Sequence, residues 1–148
     1  MAGDVPDASP EPDEEALNLG KALGASAETS IQVLPGYIPS RDHDGTGIGD
    51  QRESVPNAAS TLARIGGGVA ILPPVEGGWV NPSEQIIWEH PVIVYTYIRP
   101  EGLLRALPEL RAFLHDMGRS TNQGEVVVEF DGRLYRITTF DPAGDAPP

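Results

Sequence analysis

Cysteine is absent from this chain of 148 residues. Disulfides, thiolate metal sites and thiol nucleophiles are therefore excluded. Lysine occurs once, at Lys21, and the nine arginines are spread along the sequence. A surface that follows a phosphate backbone needs clustered Lys and Arg, so no nucleic-acid partner is expected. No apolar run approaches the roughly 20 residues of a membrane span. The acidic start, Met-Ala-Gly-Asp-Val-Pro-Asp, lacks the apolar centre of a secretory signal. These absences read as a cytoplasmic protein with no membrane partner. Also missing are a Gly-Lys-Ser/Thr phosphate loop, a dinucleotide fingerprint and a nucleophile-elbow serine.

What is present is acid, unevenly placed. The formal net charge is −12. Residues 1–58 hold eleven acids against Lys21, Arg41 and Arg52, whereas residues 59–140 hold nine acids against seven arginines. Residues 1–30 therefore read as an acidic flexible arm. Its first half is Pro, Asp, Glu and Ala, too poor in apolar side chains to offset the entropy of ordering. A short helix through Leu17, Leu19, Ala22 and Leu23 is weakened by Gly20 and Gly24. Residues 31–140 read as a single domain with a long loop over 39–56, and residues 141–148 as a flexible C-terminal tail.

Regular hydrophobic patterning concentrates between Pro91 and Phe140. Val92–Ile98 is β-branched and aromatic in both alternating sets, which predicts a central strand covered on both faces. Leu103, Leu107, Leu110, Leu114 and Met117 fall on one helical stripe, widened by Leu104 and Phe113. Pro108 predicts a kink or a break in that helix, and Gly118 its end. His115, near the C-terminus of the helix, reads as a surface residue. Asp131-Gly132 is a two-residue turn that asks for positive φ twice. It pairs Phe130 with Arg133, Val128 with Tyr135 and Val126 with Ile137, a mostly apolar face directed at the helix. Val127, Glu129, Leu134 and Arg136 occupy the other face, with Glu129 and Arg136 as diagonal neighbours.

Upstream, Ile31–Leu34 reads as a short strand ended by Pro35-Gly36. Asn57 caps a helix through Ala58, Leu62 and Ile65. Val69–Leu72 and Gln85–His90 read as strands, and Gly77-Gly78 and Pro82-Ser83 as turns. The expected fold is α+β: a mainly antiparallel sheet of four to five strands, with one Pro-kinked helix packed on one face.

The most specific motif is Asp42-His43-Asp44-Gly45-Thr46-Gly47-Ile48-Gly49-Asp50-Gln51-Arg52-Glu53. It resembles the twelve-residue calcium loop of EF-hands. The resemblance implies oxygen ligands from Asp42, Asp44, Thr46, Asp50 and Glu53, the carbonyl of Ile48, and the turn at Gly47. It departs from the pattern at Gly49, where the family has an aliphatic residue, and in its proline-rich flanks. Asp42-His43-Asp44-Gly45-Thr46 also resembles the aspartate-nucleophile motif of a phosphatase family, in which a hydrophobic strand runs straight into the first aspartate. No other cofactor is expected. His90 with Glu84 and Glu89 forms a candidate acid/base set, equally readable as a polar strand end.

Trp79 and Trp88 flank a Pro/Gly-rich turn and read either as core or as contact anchors. With Val127, Leu134 and Arg136 they make the candidate partner-binding set. The function expected from this pattern is that of a non-enzymatic interaction or assembly subunit. It would bind a protein partner or form a homo-oligomer through its arm and its exposed sheet face, as a component of a phage-type or bacterial assembly. The alternative is a calcium- or metal-dependent module or hydrolase built on residues 42–53.

Overall fold

The computed structural model describes Gly3, residues 18–49 and residues 51–144. The chain divides into two units, Met1–Ser30 and Ile31–Pro148. The described part of the first holds one helical turn, α1 (Leu19–Ala22), which buries nothing. Leu19 and Leu23 are exposed. The unstructured stretch expected over 1–16 lies outside the described residues, Gly3 apart.

The second unit runs β1 (Gln32–Ile38), α2 (Gln51–Gly66), β2 (Ala70–Leu72), β3 (Gly77–Val80), β4 (Ile86–Glu89), β5 (Val92–Ile98), α3 (Pro100–Ser120), β6 (Val126–Phe130) and β7 (Arg133–Ile137). Every strand pair is antiparallel. The strands form a three-stranded sheet in the order β1-β5-β2 and two hairpins, β3-β4 and β6-β7. The α+β class, the antiparallel pairing and the long helix agree with the sequence reading. Because β5 is antiparallel to both neighbours, β1 and β2 run parallel with β5 between them, a split β-α-β arrangement. β6 lies beside β1, where Gln32 Nε2 donates to Asp131 Oδ1 at 3.3 Å.

The core sits between one face of this sheet and the two long helices. Leu34 and Ile38 of β1, Val92, Val94, Thr96 and Ile98 of β5, and Val126 and Val128 of β6 supply the sheet side. Ala58 and Leu62 of α2 and Leu110, Leu114 and Met117 of α3 supply the helix side. Gly36 lets α2 come close: a Cβ there would meet the Leu62 side chain at 3.4 Å. The predicted turn at Pro35-Gly36 is therefore a strand interior, continuing to Ile38.

Three further expectations are corrected. The loop over 39–56 is shorter than predicted, because α2 begins at Gln51 and runs through Pro56. Proline forfeits one helical hydrogen bond there, and burial of Ala58 and Leu62 outweighs it. The helix around Pro108 is neither broken nor restarted: α3 is continuous from Pro100 to Ser120. Pro108 lies in its exposed first half, where Leu104 and Leu107 face solvent, so the buried stripe is carried by Leu110, Leu114 and Met117. Gly118 does not end the helix. The Phe140 ring lies where its Cβ would be, and the left-handed residue after α3 is Asn122, at φ 51°.

His115 is buried rather than on the surface. Its Nδ1 accepts the Asp141 N–H at 2.7 Å, and the ring meets Phe140 edge-on at 6.1 Å between centroids. Asp141 also receives a two-pronged contact from Arg111, at 2.8 and 2.9 Å, so the packed body extends one residue into the predicted tail. Among the described residues no helix is long and apolar enough to cross a membrane.

Candidate functional site

The candidate site begins at β5. Its inward residues are buried, but its other face is not covered on both sides as the sequence predicts. Ile93 and Tyr95 are half-buried and Tyr97 is 51% exposed. The register extends this outer face across three strands. Val33 sits opposite Tyr97, Pro35 opposite Tyr95 and Tyr37 opposite Ile93. Across the other edge, Ala70 sits opposite Tyr95 and Leu72 opposite Ile93. None of these eight residues carries a charge. Tyr95 and Tyr97 meet edge-on at 5.8 Å, the geometry that aromatic quadrupoles favour.

At the β6 side the face becomes polar. The Tyr37 hydroxyl donates to Glu129 Oε1 at 3.1 Å. Partial burial, and then the Glu129 carboxylate, push the phenol above its ordinary range. Glu129 and Arg136 are diagonal neighbours, as predicted; Glu129 is engaged by Tyr37, whereas Arg136 pairs with Glu125. That pairing holds the Glu125 carboxyl below its usual range. The β6-β7 register and the positive φ at Asp131 and Gly132 are as predicted. On the face predicted to lie inside, Val126 and Val128 are buried but Tyr135 is 52% exposed; Leu134, predicted on the other face, is 55% exposed.

β3 and β4 form a second apolar surface. They continue β2 and β5 as one two-stranded ribbon, joined across the bend at Pro73-Pro74 by the Val75 N–H donating to the Pro91 carbonyl at 3.1 Å. Asn81 closes its far end. Its side-chain oxygen accepts from Ser83 and Gln85 amides at 3.0 and 2.9 Å, and Glu84 takes φ 61°. Gly77-Gly78 is not a turn but part of β3. The Trp88 ring lies across Gly78, 3.0 Å from where a Cβ would be, so a side chain there would displace it. Val80 pairs with Ile86, and Gly78 with Trp88. These form one face of the ribbon, with Val80 65%, Ile86 53% and Trp88 64% exposed. Trp79 is on the opposite face and half-buried, opposite Ile87.

The base of the ribbon is held by polar contacts. Glu89 Oε2 accepts the amides of Ser40 and Arg41 at 3.2 and 3.3 Å. The His90 N–H donates to Ser40 Oγ at 2.8 Å, and Gln51 Nε2 to the carbonyls of Ile38 and His90. Glu89 therefore fastens the 40–41 segment, while Glu84 sits in the turn at the far end of the ribbon. The acid/base set read from the sequence is not brought together.

The 42–49 segment is a compact turn docked on the end of α3. Asp42 Oδ1 accepts the Asp44 and Thr46 amides at 2.9 and 3.0 Å, and Arg41 bridges to Gly47. These amide bonds, that of Thr46 foremost, lower the Asp42 carboxyl below its ordinary range. The His43 N–H donates to the Asn122 carbonyl, and Gln123 Nε2 to that of Arg41. A strand, not a helix, precedes this segment. Thr46 and Ile48 stay in the turn, Glu53 lies in the first turn of α2, and Asp50 lies outside the described residues. Among the described residues no three His, Asp or Glu side chains gather as a metal site. A groove of about 240 Å³ runs between α2 and α3, lined by Asn57, Thr61, Arg64, Glu109, Phe113 and Asp116. The Arg64–Glu109 ion pair, at 2.9 Å, lies in its wall.

No family model matches this chain, and no curated protein matches it by sequence. Solved structures do. A phage SAM lyase in complex with S-methyl-5'-thioadenosine superposes with a TM-score of 0.54 at 14% identity, over 77% of this chain and 95% of that one. The apo state of a phage SAM lyase gives 0.51 at 16% identity, over 77% and 97%. A divalent cation tolerance protein, CutA1, from Thermus thermophilus gives 0.43 at 10% identity, over 78% and 88%. The chain shares its fold with the phage lyase.

The sequence pointed to Val127, Leu134 and Arg136 but missed Val33, Pro35, Tyr37 and Leu72. Strand register, which a short apolar run does not reveal, brings these onto the same face as Tyr95 and Tyr97.

Proposed function

We propose that the chain is a self-associating subunit whose open sheet face is covered by another protein chain, in the first instance a copy of itself. The observation that carries this reading is the uncharged outer face of β1, β5 and β2. A face of eight apolar or aromatic residues beside a closed core is unusual on a lone monomer and marks an interaction site. Aromatic residues are favoured anchors at such sites. The near-balanced charge of residues 59–140 lets copies approach without strong repulsion. Residues 1–30, acidic and with Leu19 and Leu23 exposed, supply a second contact element toward other chains. Size-exclusion chromatography with light scattering is the test. The expected mass is a multiple of 15.8 kDa, and a strict monomer at high micromolar concentration that retains no partner overturns the reading.

A second reading is favoured by the fold shared with the phage lyase. That protein is seen with S-methyl-5'-thioadenosine. On this chain, Glu129 beside Tyr37, at the polar edge of the sheet face, offers a carboxylate to a cationic group. We infer that the assembled protein binds an adenosyl thioether or sulfonium, with SAM itself as the candidate substrate. Calorimetry with SAM and with S-methyl-5'-thioadenosine tests binding, and chromatography of SAM incubations tests turnover. Saturable heat that Glu129→Gln diminishes is expected. No heat with either ligand, and unchanged SAM, removes this reading and leaves the assembly reading standing.

A further inference from the structure

Self-association leaves open what seats on the sheet face, and the ribbon answers it. We propose that the exposed face of the β3-β4 ribbon docks on the open β1-β5-β2 face of a second copy, head to tail. This rests on the self-association reading and names its partner element.

Three observations converge. First, the ribbon presents Val80, Ile86 and Trp88 side by side on one face, each more than half exposed. An isolated two-stranded hairpin is at best marginally stable in water. The opposite face of this ribbon is supported, since Ile87 meets Gly45 and Glu89 fastens Ser40 and Arg41. Among the described residues, none gives the Trp88 face comparable cover. Secondly, the sheet face is the chemical counterpart: eight apolar or aromatic residues and no charge. Neither surface asks the other to bury an ion, so their contact avoids the desolvation cost of unpaired charges. Thirdly, the two surfaces differ. A two-fold contact of sheet on sheet covers the sheet and leaves Trp88 in water. A contact of ribbon on sheet covers both with one repeated interface. Such heterologous contacts close into rings when the rotation allows it. Trp88, pre-positioned across Gly78, is then the anchor.

The geometry dictates a mixing experiment. A ribbon variant, Ile86→Glu with Trp88→Glu, and a sheet variant, Tyr97→Glu, each elute as monomers. Mixed in equal amounts they form a two-chain species, because the intact ribbon of one fits the intact sheet face of the other. Far-UV circular dichroism and thermal melting establish that each variant is folded. If Trp88→Glu disturbs the ribbon, Val80→Glu takes its place. Trp88→Ala alone weakens association by about thirtyfold or more, as a buried anchor does. A ribbon variant that assembles like the wild type overturns the inference, as does a mixture that stays monomeric. A wild-type protein that is itself monomeric overturns the self-association reading instead, so the two failures are distinguishable.

Discussion

The two faces of the central sheet share one strand and differ in everything that covers them. On the inner face of β5, Val92, Val94, Thr96 and Ile98 lie beneath two helices. On the outer face, Ile93, Tyr95 and Tyr97 are scarcely less apolar and lie beneath nothing described in the chain. A single run of seven residues thus serves two surfaces, one sealed within the subunit and one left open. Apolar composition reports that a face is to be covered. It does not report by what.

That contrast can be broken or sharpened by substitution. The largest effect belongs to the sealed side. Leu62, 1% exposed, faces Gly36 across the helix–sheet boundary. Leu62→Ala should cost about 2–5 kcal/mol in chemical denaturation, the range for deleting a buried leucine. Next comes Gly118→Ala. In an exposed helix this change adds about 1 kcal/mol of stability. Here the Phe140 ring occupies the space, and overpacking of about 1–3 kcal/mol should reverse the sign. A rise in melting temperature would break the account of this seam.

A subtler effect attaches to Asp141. Arg111 foremost, with help from His115 and Arg119, holds its carboxyl below the usual range. Its folded-state pKa is therefore depressed relative to the unfolded chain. The stabilisation is fully present above the unfolded value of about 3.9 and fades as pH falls through the folded one. Asp141→Asn should remove that part of the acid dependence. Melting temperatures from about pH 2 to 7 check it. The smallest effect is expected on the open side. Tyr97→Ser should change the stability of the dilute subunit by no more than about 0.5 kcal/mol, while lowering association at high concentration. Equal losses at Leu62 and Tyr97 in dilute solution would erase the distinction between the two faces.

Much of the sealed side was legible in the sequence. The stripe through Leu110, Leu114 and Met117, the Asp131-Gly132 turn and the register of the last hairpin follow from local periodicity and turn chemistry. The misreadings share a cause. Pro35, Gly36, Pro56, Gly77, Gly78 and Pro108 are local stop signals, yet each lies inside an element. Tertiary contact accounts for two of them, with Leu62 over Gly36 and Trp88 across Gly78. His115 was misplaced because its partner, the Asp141 amide, is 26 residues away. The candidate site was half legible. Val127 and Leu134 could be assigned to the outer face of the last hairpin, and Trp88 was left open between core and contact. Val33, Tyr37 and Leu72 could not be placed on the sheet face, since pairing across distant strands assembles that surface. In the Asp42 turn, the spacing that resembles a cation loop carries a carboxylate bonded to two amides of its own turn.

The notch at Gly118 also bears on how the subunit is made. Phe140 fills it, and Phe140 leaves the ribosome after every strand and helix of the body. During synthesis β1 and α2 must wait with greasy sides bare, first for β5 and then for the ring that plugs α3. The last step of closure thus falls after residue 140 has emerged, and a nascent chain stalled short of it should be a client for chaperones.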